Sequence, residues 1–175
     1  MTPQEAREFA RAWRWILTGL ACFWVTVATL LFPPAPRLVW NLSDSAPTGL
    51  YRVYPGTAPG RGDMVIAWAP EPWRGLAARR HYLPANVPLV KRVAAVAGDT
   101  VCATGPDIRV DGRLVATRLA ADSQGRALPW WQGCRTLGSG DYLLLMDARA
   151  SFDGRYFGIV QAAQLVGTAR PLWTR

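Results

Sequence analysis

Hydrophobic and polar positions change their rhythm once along this chain, near residue 33. From Trp15 to Phe32 the sequence WILTGLACFWVTVATLLF carries no charge and has no polar face. As a helix rising about 1.5 Å per residue it would extend roughly 27 Å, enough to cross a bilayer. PPAPR, residues 33–37, then stops it, because proline removes a donor and clashes with the preceding turn. Beyond that point apolar residues come in short runs bounded by Gly, Pro and Asp, the signature of strands: 50–54, 63–68, 88–96, 99–103, 142–146 and a final VGTARPLW. IRV and RLV flank Asp111-Gly112, a hairpin signal because both turn positions want positive φ. EPWRGLAARRHY and QAAQL supply the helical turns outside the anchor, and residues 120–140, rich in Gly, Ser and Trp, read as an insertion or long loop. The expected protein is therefore mainly β with one N-terminal transmembrane helix: 1–14 a cytoplasmic N-terminus, 15–33 the anchor, 34–175 an exported domain.

Three rival readings of the apolar run are weaker. A cleaved secretory signal needs a small-x-small site where the chain has TLLFPPAP. A lipoprotein signal would use Cys22, but ten more apolar or weakly polar residues follow it. A buried core helix would show a polar side. Arg7, Arg11 and Arg14 precede the span and only Arg37 follows closely, which by the positive-inside rule keeps the N-terminus in the cytoplasm and puts the rest in a periplasm. Trp13, Trp15 and Trp40 suit the two interfacial belts.

The net charge of +8 raises nucleic-acid binding, but the arginines are scattered and form no recognisable module. Attraction to anionic lipid headgroups, and so to the bilayer as a partner, is the simpler use of that charge. Cys102 and Cys134 fall in the exported portion, where oxidation is permitted, so a disulfide between them is favoured over two separate thiols. Neither cysteine has a second ligand at metal spacing, so no metal is expected, and no motif calls for a cofactor.

The basic residues also carry candidate chemistry. Nineteen are arginines and one is a lysine, Lys91, in the apolar stretch VPLVKRVAAVAG. Arginine stays protonated, whereas a desolvated lysine can be neutral and act as a general base. The serine loop NLSDSAPTGLY, residues 41–51, follows the span closely and supplies a hydroxyl for such a base. The single histidine, His81, sits beside Arg79-Arg80 in what reads as a surface loop, which disfavours a Ser-His-Asp triad.

These segments resemble the type I signal peptidases, most closely the conjugative-transfer, TraF-like branch. NLSDSAPTGLYRV resembles that branch's nucleophile segment, which implies Ser45 as nucleophile and Ser43 as the hydroxyl that joins the Ser45 amide in the oxyanion hole. GDMVIAW is similar to the strand lining the substrate groove, and VKRVAAVAGDTV to the lysine segment, with Lys91 as base. RVDGRLV is similar to the hairpin that follows. SFDGRYFG, residues 151–158, resembles the last family motif; the match implies that Ser151 orients the lysine amine while Asp153 and Arg155 form a supporting ion pair. Ala46 leading directly into Pro47, and LMDARA before the last motif, depart from the housekeeping pattern and argue against general preprotein processing. The resemblance implies a signal peptidase-like β-rich fold and a membrane-anchored serine endopeptidase cutting exported precursors, a conjugative pilin among them, after small side chains, with cyclisation of the pilin as one outcome. An inactive bitopic scaffold of a conjugation or type IV secretion apparatus is the rival, and a self-cleaving repressor-type protease is disfavoured by the anchor.

Overall fold

A computed structural model of the protein describes residues 3–32 and 35–175. Chain contacts divide it into two compact units, Met1–Ala35 and Pro36–Arg175. The first is a helix, α1 (Pro3–Leu31), whose residues Arg7–Leu31 are long and apolar enough to cross a membrane. The helix begins twelve residues before the apolar run because PQEAREFARA offers proline at the first turn followed by good helix formers. The expected stop at Pro33-Pro34 lies outside the described residues; Leu31 is the last helical residue before it.

The second unit holds two antiparallel sheets. The larger has seven strands in the order β1-β2-β11-β3-β4-β9-β10: β1 (Leu38–Asn41), β2 (Gly49–Pro55), β3 (Met64–Ala67), β4 (Leu89–Ala95), β9 (Asp141–Leu145), β10 (Ile159–Gln161) and β11 (Leu165–Thr174). The smaller runs β7-β6-β5-β8, from β5 (Thr100–Thr104), β6 (Asp107–Val110), β7 (Arg113–Thr117) and β8 (Gly133–Thr136). Two short helices, α2 (Trp73–Arg79) and α3 (Gly154–Phe157), and a 3-10 turn at Ala162–Gln164 complete it.

Burial explains the sequence rhythm. β3 reads as a continuous apolar run, and β4 as one interrupted only by Lys91-Arg92, because both faces of the large sheet are covered. Val65, Ala67, Leu89 and Val93 join one buried cluster with Leu144, Phe157 and Val160, while Ile66 and Val90 join another with Ala46, Tyr51 and Met146. A third cluster, Ala95, Val101, Ile108, Val110, Leu143 and Leu145 among its members, packs the small sheet against the large one. Cys102 and Cys134 face each other across β5 and β8 and are joined by a disulfide.

Candidate active site

The serine loop is the connection between β1 and β2, which pair antiparallel and close at Asn41 opposite Gly49. Asn41 is buried and holds the loop from inside. Its Nδ2 donates to the carbonyls of Ser43, Ala46 and Pro47 at 3.0, 3.0 and 3.1 Å, and its Oδ1 accepts the Ser43 amide at 3.1 Å. Tyr51, buried below, donates its hydroxyl to the Pro47 carbonyl at 2.8 Å. Gly49 has a φ of +148° and a Cβ added there would clash with the Trp173 backbone carbonyl, so a side chain has neither a relaxed conformation nor room. Those contacts explain the asparagine, glycine and tyrosine that frame the two serines. Asn41 is the residue that reading the sequence did not single out; its signal was an asparagine at a strand end ahead of a polar turn.

Lys91 projects from the middle of β4, flanked by β3 and β9, and is 2% exposed. Its Nζ lies 2.9 Å from Ser45 Oγ and 2.7 Å from Ser151 Oγ. Burial pushes its pKa down from the ordinary lysine value to about 8; the Asp153 carboxylate opposes that effect and the Arg155 guanidinium reinforces it. A neutral amine has two N–H groups and one lone pair. With one N–H given to Ser151, the lone pair is free to face the Ser45 hydroxyl.

Ser151 is set by the turn that leads into α3. Asp153 caps that helix, accepting the Arg155 amide at 3.1 Å, and also accepts the Met146 amide at 3.0 Å. Its carboxylate pairs with Arg155 Nε and Nη2 at 3.0 and 3.1 Å. The guanidinium in turn donates to the carbonyls of Arg149, at 3.1 Å, and Met146. One wholly buried ion pair thus ties residues 146–155 into a closed loop, with Ser151 buried inside it. Gly154 completes the fit, since a Cβ there would stand 2.7 Å from the Leu144 carbonyl.

Ser43 is positioned in a way the sequence did not reveal. Its Oγ is 2.8 Å from Ser45 Oγ and accepts the Ser45 amide at 3.3 Å. The amide and the hydroxyl expected to share an oxyanion therefore bond to each other, and the Ser43 hydroxyl must rotate before both can donate to a third oxygen. Beside Ser45 opens a cavity of about 380 Å³ lined by Ala46, Thr48, Met146 and the charged Arg92, Asp147 and Arg175. His81 is exposed just past α2, and its ring makes no hydrogen bond among the described residues. Cys102 and Cys134 lie in the small sheet. No three His, Cys, Asp or Glu residues are grouped to hold a metal among the described residues.

The model of the family described as "Signal peptidase, peptidase S26" matches residues 10–173. A plasmid transfer protein TraF of Escherichia coli is 35% identical over 147 residues, which cover 77% of this chain and 81% of that relative. A probable conjugal transfer protein TraF of Sinorhizobium fredii is 36% identical over 145 residues, covering 77% and 76%. A crystal structure of a signal peptidase I from Enterococcus faecalis is similar at 22% identity and a TM-score of 0.37, covering 64% of this chain and 97% of that one. With a family match over nearly its whole length and relatives of this identity, the chain belongs to the signal peptidase family, peptidase S26.

Proposed function

We propose that the protein is a single-pass membrane serine endopeptidase that processes an exported precursor in conjugation, a pilin precursor first among the candidates. Residues 1–14 lie in the cytoplasm, 15–33 form the anchor and 34–175 work in the periplasm, where the substrate's own hydrophobic segment holds it beside the same bilayer. The names of the relatives, plasmid transfer and conjugal transfer proteins, support the setting. The observation that carries the chemistry is the buried Lys91 amine within 2.9 Å of Ser45 Oγ.

In this reading neutral Lys91 takes the Ser45 hydroxyl proton as Oγ attacks the scissile carbonyl, forming a C–O bond and an oxyanion. The Ser45 amide and the rotated Ser43 hydroxyl hold that oxyanion. The ammonium then returns the proton to the departing amine, the C–N bond breaks, and an acyl-enzyme remains. Water releases the product, or an amine of the pilin itself does so and closes a ring. Ser151 keeps the amine aimed, and the Asp153–Arg155 pair keeps Ser151 in place.

Coexpression with candidate pilin precursors, read by intact mass, tests the proposal. Loss of a terminal peptide supports it, with a further loss of water marking cyclisation; unaltered precursors in every pairing would sink it. Ser43→Ala is expected to be milder than loss of Ser45, lowering kcat by about 10²-fold to 10³-fold at unchanged KM. The kcat/KM profile should rise with pH through a midpoint near 8, because only the deprotonated amine is a base and burial depresses its pKa to about that value. A midpoint near an ordinary lysine value would contradict a desolvated base.

A further inference from the structure

Residues 118–132, which overlap the 120–140 stretch that reads from the sequence as an insertion or long loop, lie over the turn that carries Ser151. Trp131 donates its indole N–H to the Gly154 carbonyl at 3.0 Å, between the two members of the buried ion pair. The Leu119 amide donates to the Tyr156 hydroxyl at 3.0 Å. Phe152, next to Ser151, stacks on Tyr156 with ring centroids 5.8 Å apart and meets Tyr82 at 5.2 Å, and Tyr82 in turn donates to Asp122 of the same segment.

The segment is itself anchored. Buried Arg118 donates to the Trp131 carbonyl at 2.6 Å and to the Gly105 carbonyl in the turn between β5 and β6, with its guanidinium 4.6 Å from the Trp130 ring. Three residues past Trp131, Cys134 is bonded to Cys102. Trp131 is thus fixed on the small-sheet side and grips the Ser151 turn with its free edge.

We infer that Trp131 is a positioning residue for the general base: through Gly154 it holds the Ser151–Arg155 turn closed over Lys91 and keeps water from the amine. This rests on the reading of Lys91 as the base. The groups that face Lys91 are few. The turn presents Ser151, Asp153 and Arg155; the serine loop presents Ser45; the flanking strands place Val65 of β3 opposite Lys91 and Leu144 of β9 opposite Val93, the next residue on the same face. If the turn loosens, Asp153 and Arg155 move together and their opposed influences on Lys91 offset each other in part, that of Asp153 being the larger. Desolvation outweighs either, so restored hydration, which favours the ammonium, sets the direction.

Lys91 is the chain's single lysine, so its titration can be read directly and without a substrate. Full-length protein in detergent micelles is labelled with trace acetic anhydride across pH against a free-amine standard, and Lys91 acetylation is quantified by mass spectrometry. Trp131→Phe keeps one aromatic ring and deletes the N–H donor with the five-membered half of the indole. It is expected to move the Lys91 midpoint upward by about 0.5 to 1 pH, the effect of one lost hydrogen bond. A wild-type midpoint already at the ordinary lysine value would overturn the base itself. A depressed wild-type midpoint unchanged in the variant, whatever its melting temperature, would overturn the role of Trp131. If Trp131→Phe does not fold, Tyr156→Phe decides, since it removes the other grip on the turn: the same upward movement supports the inference and no movement rejects it.

Discussion

Lys91→Arg is expected to abolish precursor cleavage. Arginine keeps the positive charge and most of the reach, so a lysine serving only as a cation would tolerate the change. A base would not, because a guanidinium retains its proton under any condition the protein meets. The substitution also forces a bulkier, permanently charged group into a site 2% exposed, where the buried Asp153 carboxylate is already engaged by Arg155. Lys91→Met, of similar length and uncharged, separates the two effects: it should remain folded and be equally inactive. Cleavage retained by the arginine variant, measured by coexpression with a processed precursor, would remove lysine from the mechanism.

Ser45→Ala is expected to lower turnover by at least about a thousandfold, the loss of a nucleophile leaving whatever the oxyanion donors and binding supply alone. The fold should survive. The loop is held by Asn41 and Tyr51, neither of which bonds to the Ser45 hydroxyl, and Lys91 keeps its contact with Ser151. A melting temperature within a few degrees of wild type, with the precursor intact, is the expected pair of results. Ser43 stands 2.8 Å away, so exchange of roles between the two hydroxyls is a real alternative outcome. Substantial cleavage by Ser45→Ala together with none by Ser43→Ala would assign the nucleophile to Ser43.

Much of this architecture was legible because local chemistry and tertiary need coincide in it. Lys91 stood out as one amine in an apolar strand, and the strands of the core announced themselves by continuous or alternating hydrophobic runs. Other elements were hidden for physical reasons. β1, LVWN, is short and follows a proline-rich stretch; β8, GCRT, is exposed along its length and owes its place to β5 and the disulfide; β10 has three residues. α3, lying within SFDGRYFG, has four residues and exists because Asp153 caps it and Arg155 closes the loop behind it, a helix with no periodicity to detect. Residues 120–140 were opaque because their partners are remote in sequence: Trp131 reaches Gly154, and Asp122 meets Tyr82.

The order of strands in the large sheet bears on when such an enzyme could first act. β2 follows the proposed nucleophile and β4 carries the proposed base, yet along the hydrogen-bonded ladder they are joined through β11 and β3, so residues 165–174, synthesised last among the described strands, are inserted between them. A chain still emerging from a translocation channel would hold both halves of the chemistry and no framework to unite them. On the proposed reading, competence would arrive only with complete passage, which would protect neighbouring precursors from a protease that is itself half delivered.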